Sequence, residues 1–237
     1  MRIALLQDQP DWRAHLPAVE EIFFAASRVQ QFRDEADRAR FKARWLGRYL
    51  ELFPQSFFVA LAPAPETSHR PPPERGRVGV GVEPGFAAQL RRSHDPHPAL
   101  RADLPLSGGG EEQSTVPTET VIGYLAGCLE DPRGTPLFAD LGYYAAFGPL
   151  CDAYPAHLHI NVAAATRSQG VGAALIEAFA AQCKDAKLPG LHLVTNEGAR
   201  NVRFYQQNGF KVLATTLSHG TPVVFMGRRL TNQGRAD

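Results

Sequence analysis

His157-Leu-His-Ile-Asn-Val-Ala-Ala-Ala-Thr-Arg167-Ser-Gln-Gly170-Val-Gly172, running on into Ala173-Ala-Leu-Ile-Glu-Ala-Phe-Ala180, decides the fold. It reads as a strand, a glycine turn and a helix. A glycine-rich turn that delivers the chain into a helix N-terminus points several free backbone N–H groups at one spot. The helix dipole adds about half a positive charge there. Such a spot binds phosphate, and Arg167 at the front of the turn adds a permanent cation whose planar donor fork suits phosphate oxygens. The spacing excludes two owners of such loops. The dinucleotide fingerprint needs a third small residue where Leu175 stands, and no Gly-Lys-Ser/Thr follows as in nucleoside triphosphatases.

Working outward, the 237 residues suit a single domain over 1–237, long enough to bury most of its apolar surface. Lysines and arginines (25) nearly cancel aspartates and glutamates (24), so no global field recruits nucleic acid or an anionic membrane. No apolar run approaches the ~20 residues of a membrane span, and Met-Arg-Ile-Ala-Leu-Leu-Gln-Asp at the start has too short an apolar stretch for a signal peptide. The chain is read as cytoplasmic. Cys128, Cys151 and Cys183 are widely spaced in apolar surroundings, which favours reduced packing residues over a disulfide frame or metal site.

Residues 17 to 31 place Val19, Ile22, Phe23, Ala26 and Val29 at helical spacing, with Pro17 at the start. A second helix is predicted from Glu35 to Leu52, where Phe41, Trp45, Tyr49 and Leu52 form an aromatic stripe that reads as core and Pro54 stops it. Ser56 to Ala62 reads as a strand. From 63 to 117 prolines and glycines make up about three residues in ten, a level that predicts a disordered insertion; His94 and His97 inside it lack the further ligands a metal needs. Thr120–Leu129 reads as a strand whose glycines weaken it or admit another backbone. A turn at 131–135 leads to a helical or irregular stretch over 136–153 around Tyr143, Tyr144 and Phe147. After the opening segment come a strand over 191–195 and a short helix over 199–209 with Gly209 as its stop. An antiparallel pair, 210–217 with 223–226, precedes a frayed tail at 231–237.

Two motifs now fall in order. Arg167-x-x-Gly170-x-Gly172 after a strand resembles the pyrophosphate-binding motif of the GCN5-related N-acetyltransferases, the GNAT superfamily. Asn201-Val-Arg-Phe-Tyr205-Gln-Gln-Asn-Gly-Phe210 is close to the Asn-x-x-x-Tyr-x-x-x-Gly-Phe stretch of the same family. The resemblance covers 17–62 and 119–230 and leaves the insertion unexplained. It implies an α/β (α+β) fold: a mixed, mostly antiparallel central sheet with a splayed central strand pair and helices on both faces, its acetyl-CoA-binding core in 119–230. Tyr154–Val162, Gly123–Cys128 and Ser56–Ala60 are similar to a bacterial group related to the acetyltransferase-like domain of O-GlcNAc hydrolases. Some relatives in that group do not bind acetyl-CoA, so fold alone does not guarantee activity.

By the same resemblance, acetyl-CoA is the cosubstrate and no metal takes part. Val162 and Ala163 contact its pantetheine arm. Arg167, Ser168, Gln169, Gly170, Val171, Gly172 and Ala173 take the pyrophosphate, with Asn201 and Phe204 beside them. Gly170 and Gly172 matter because a β-carbon would stand between backbone and phosphate or forbid the turn's dihedrals. Strand alternation puts Leu158, Ile160 and Val162 on one face and His157, His159 and Asn161 on the other, suggesting a lined cleft. The family reaction is direct attack by a neutral primary amine on the thioester, and Tyr205 matches the tyrosine that protonates the departing thiolate. Asn161 stands where many relatives carry an acidic residue, and asparagine accepts no proton at neutral pH. His159 is therefore the candidate base, with Glu197 in reserve, and Asn201 ties its loop to the cofactor or caps its helix. The alternative is a non-catalytic acyl-CoA-binding or interaction module. The acceptor, a small molecule or a protein amine, is not read from the sequence, and the assembly is a monomer or homodimer.

Overall fold

The structure, a computed structural model, describes residues 1–27, 29, 31–64 and 118–230. From residue 65 on, the expected disordered insertion, with His94 and His97, lies outside the described residues, as does the tail at 231–237. Among the described residues, seven strands form one sheet in the order β1-β2-β3-β4-β5-β7-β6: β1 Arg2–Leu5, β2 Phe57–Pro63, β3 Glu119–Cys128, β4 Ala156–Val162, β5 Gly190–Asn196, β6 Lys211–Ser218 and β7 Thr221–Arg229. All neighbours are antiparallel except β4 and β5.

Among the described residues there are six α-helices: α1 Leu16–Ala26, α2 Glu35–Lys42, α3 Arg48–Leu52, α4 Tyr144–Cys151, α5 Val171–Asp185 and α6 Asn201–Gln207. Strand alternation sends side chains into a separate core on each face. One face packs Val19, Phe23, Tyr49, Phe147 and Cys151 from α1, α3 and α4 against Phe57, Tyr124, Cys128 and Phe225 of the strands. The other packs Leu175, Ile176, Phe179 and Cys183 of α5 and Tyr205 of α6 against Phe58, Leu125, Leu158, Leu193 and Met226. All three cysteines are buried and unpaired, and burial pushes each thiol up to about 12. No helix among the described residues is long and apolar enough to cross a membrane.

Four features depart from the sequence expectation. The first helix ends at Ala26 rather than 31, because Ser27 turns to extended dihedrals, and Val29 is left 41% exposed outside the core. The second expected helix is interrupted by a π-helical turn at Ala43–Gly47 between α2 and α3. Its wider hydrogen-bond period rotates the following side chains, so Leu46 and Tyr49 are buried while Leu52 is 47% exposed. β1, too short to show a period, was not foreseen; it pairs with β2 at the sheet edge, where Arg2 holds Glu119 at 2.6 Å. Of the β3 glycines, Gly123 lies close to a neighbouring backbone, a β-carbon there falling 3.2 Å from the Asn161 carbonyl oxygen, whereas Gly127 admits a side chain: a β-carbon on it would lie 2.4 Å from the Phe179 ring. That ring keys α5 into the sheet.

Two fold predictions follow. Gly127→Leu should cost about 1–3 kcal/mol by overpacking against Phe179, read as a lower denaturation midpoint with unchanged m-value. His157 and His192 are both buried and depressed below their ordinary pKa by desolvation, His192 to about 4. The unfolded chain binds their protons more readily, so their contribution is fully present above about pH 6.5 and fades as pH falls toward 4. Each ring costs up to about 1.4 kcal/mol per pH unit in that window. Thermal melts should show the decline between pH 6.5 and 4.5, before the ion-paired carboxylates titrate; a flat melting temperature there would contradict the assignment.

Candidate active site

β4 and β5 are hydrogen-bonded partners over only two pairs, Ala156 with Leu191 and His157 with His192. His192 fixes that end. Its Nδ1 donates to the Tyr154 carbonyl at 2.5 Å, which leaves Nε2 to accept from the Tyr144 hydroxyl at 3.1 Å. Past this seam the strands part. Ala163 donates to the Ile122 carbonyl at 2.9 Å, so in the antiparallel ladder the odd-numbered residues of β4 bond to β3. The backbone groups of Ile160 and Val162 then face the gap toward β5. Val162 thus offers free backbone groups to a ligand in the gap. Ala163 has both of its own engaged, its carbonyl accepting from the Thr166 backbone at 3.0 Å and the Thr166 hydroxyl at 3.2 Å.

The glycine turn closes the wide end of the gap. Gly170 is the N-cap of α5 at φ +79°, and open space surrounds the position of its missing β-carbon. Only a glycine takes that dihedral freely. The first intrahelical bond runs from Ala174 to the Gly170 carbonyl, so the N–H groups of Val171, Gly172 and Ala173 have no partner within the helix. No side chain caps this end and its first turn carries no acid. Arg167, Ser168 and Gln169 are exposed around it, with Gln169 donating to the Ala165 carbonyl at 3.1 Å. Three unspent donors, a positive dipole end and an exposed cation fit an anionic diphosphate. At Gly172 a β-carbon would also lie 2.7 Å from Phe204. The close approach is between helices, and Phe204 is the packing partner.

On the opposite side of β4 the three polar residues divide. His157 is buried, its Nδ1 3.3 Å from the Tyr49 hydroxyl and its ring 4.5 Å from Phe138; its Nε2 has no partner, and it belongs to the core. His159 is half-buried, edge-on to Trp45 at 5.7 Å and Tyr49 at 5.3 Å, with no hydrogen bond to any described residue. Burial, helped by the Arg48 cation, pushes it down to about 4, so it is neutral at pH 7 and able to accept a proton. Asn161 donates from Nδ2 to the Tyr124 hydroxyl at 2.7 Å. Tyr124 pairs with it across β3 and stacks on Phe57 at 5.4 Å. Tyr124 was not anticipated, because only strand register reveals it.

Tyr205 is buried between Phe204 at 5.2 Å and Phe210 at 5.7 Å on the α5 face, and burial raises its phenol far above the usual range. Its hydroxyl bonds to no described residue. Asn201 does not cap α6; its Oδ1 accepts from the Thr195 hydroxyl at 3.2 Å and ties the helix to the end of β5. Glu197 is exposed on the loop between them. Among the described residues no group of three or more histidine, cysteine or acidic side chains is placed to hold a metal.

Residues 119–212 match the family model of the acetyltransferase (GNAT) domain. The fold has solved counterparts. It is similar to the crystal structure of SsHAT over 98% of this chain and 98% of that one, at 18% identity and a TM-score of 0.54. Weaker likenesses are to Ard1 from Thermoplasma volcanium, at 14% identity and a TM-score of 0.42 over 91% of this chain and 93% of that chain, and to Naa20 from Chaetomium thermophilum in complex with a bisubstrate analogue, at 16% and 0.43 over 97% and 85%. The glycine turn, the parted strands and Tyr205 all fall within the stretch that matches the acetyltransferase (GNAT) domain model.

Proposed function

We propose that this protein is an acetyl-CoA-dependent N-acetyltransferase that moves an acetyl group to a primary amine by direct attack, without a covalent enzyme intermediate. The observation that carries the reading is the parting of β4 from β5 after His157, beside an uncapped helix N-terminus. Acetyl-CoA supplies an activated thioester when bound. The free N–H groups of Val171, Gly172 and Ala173, with Arg167, hold its pyrophosphate, and the backbone of Ile160 and Val162 meets the pantetheine arm in the gap. His159, neutral at working pH, accepts the amine proton. A weak base suffices, because the amine N–H becomes strongly acidic as its bond to the carbonyl forms.

Asn161 cannot take that proton; its Oδ1 accepts a hydrogen bond from the amine while Tyr124 holds the amide. Burial keeps the Tyr205 phenol protonated. The departing thiolate is made more basic by the same dry surroundings, so transfer from Tyr205 stays matched. The resemblance to the acetyltransferase-like domain of O-GlcNAc hydrolases is kept as the subgroup, and three unpaired buried cysteines fit the reducing cytoplasm. A second reading, a non-catalytic acyl-CoA-binding module, is favoured by one observation: Asn161 spends its amide on Tyr124 and offers no titratable group.

Calorimetry should give an acetyl-CoA Kd on the order of micromolar, weakened about tenfold or more in Gly170→Trp, which meets both the positive φ and the open space. Wild-type protein that binds no acetyl-CoA would sink both readings. Turnover over an amine panel then separates them: Tyr205→Phe and His159→Gln should each lower kcat by about a hundredfold or more, with acetyl-CoA affinity retained. Binding without turnover of any amine would favour the module.

A further inference from the structure

The acceptor side of β4 has walls whose chemistry restricts what enters. Trp45 and Tyr49, four residues apart across the π turn, stand edge-on to His159 with interplanar angles of 83° and 79°. Trp45 and His159 keep part of their surface open, while Tyr49 is buried behind them. The charge here is positive. Arg44 Nε and Arg48 Nη2 lie 2.6 and 3.0 Å from the same Asp140 oxygen, so two guanidinium groups share one carboxylate. Asp140 is the one acid paired with them among the described residues. The Arg44 guanidinium sits 5.1 Å over the Trp45 ring, and the Arg48 charge reaches His159 itself.

These walls discriminate among amines. A polyamine or lysine-rich segment would bring further positive charge to a site where, among the described ion pairs, two guanidinium groups already share the one Asp140 carboxylate. A plain alkyl amine would gain only burial. An aromatic amine gains ring–ring contact as well, and the Arg48 charge favours its uncharged, nucleophilic form.

We infer that the acceptor is an aromatic primary amine without a second positive charge, its ring against Trp45 and its amino group at His159. This rests on the N-acetyltransferase reading and names its substrate class. The test titrates 2-phenylethylamine, hexylamine and spermidine into the protein with and without saturating coenzyme A, and repeats the set with Trp45→Ala and Trp45→Phe. Phenylethylamine should bind about tenfold or more tightly than the other two. Trp45→Ala should weaken it about tenfold and raise its KM alike, Trp45→Phe should retain most of the affinity, and both variants should bind acetyl-CoA within about twofold of wild type. Spermidine or hexylamine binding as tightly as phenylethylamine would overturn the inference, as would an unchanged phenylethylamine Kd in Trp45→Ala that still binds acetyl-CoA. Protein that ignores acetyl-CoA sinks the transferase reading instead, and the amine titration without coenzyme A still decides the aromatic wall.

Discussion

A parallel seam two pairs long, Ala156–Leu191 and His157–His192, holds the middle of the sheet together, and the site exists because it goes no further. Continuous pairing would satisfy the backbone of Ile160 and Val162 within the sheet and leave no gap for a ligand. The seam is also the most polar place in the core. His192 is held by the Tyr154 carbonyl and the Tyr144 hydroxyl, and His157 lies across from it against Tyr49 and Phe138. Directional hydrogen bonds specify one register where apolar side chains alone would tolerate a slip.

From that seam the two faces take separate duties. α5 and α6 are keyed into one face by Phe179 into Gly127 and by Phe204 onto Gly172, with Tyr205 buried in the core beside them. The π turn and the 136–144 stretch build the other side, joined by Arg44 and Arg48 to Asp140 and by Arg48 to the Leu137 carbonyl at 2.8 Å. Burial alone would raise the Asp140 carboxyl, yet the Arg48 hydrogen bonds and the two cations hold it below its ordinary value. The wall beside His159 is therefore fastened by ions, and the glycine turn by packing.

The sequence made the glycine-turn half of this arrangement legible and much less of the half beside His159. A positive φ before a helix has a residue signature, so the Gly170 turn and the start of α5 at Val171 were readable from spacing. The aromatic stripe of the second helix was readable too, but its role was not. Trp45 and Tyr49 have the periodicity of core residues, and only the position of β4 beneath them shows that they wall His159. Asn161 and Tyr124 lie 37 positions apart and meet through strand register, which no local pattern carries. His157 and His159 look alike in sequence. Depth in the sheet, set by where the seam ends, makes one a core group and leaves the other free to react.

Gly172 carries a consequence for how this cleft can be dissected. With the Phe204 ring occupying the place of a β-carbon, the first turn of one helix is the bearing surface on which the next helix rests, and Phe204 and Tyr205 are adjacent on that second helix. The glycine turn and the position of Tyr205 therefore share a mechanical joint. A side chain introduced at Gly172 displaces α6, so the variant disturbs the surroundings of Tyr205 as well as the turn, whereas Gly170, with nothing within 4 Å of its β-carbon position, reports on the turn alone.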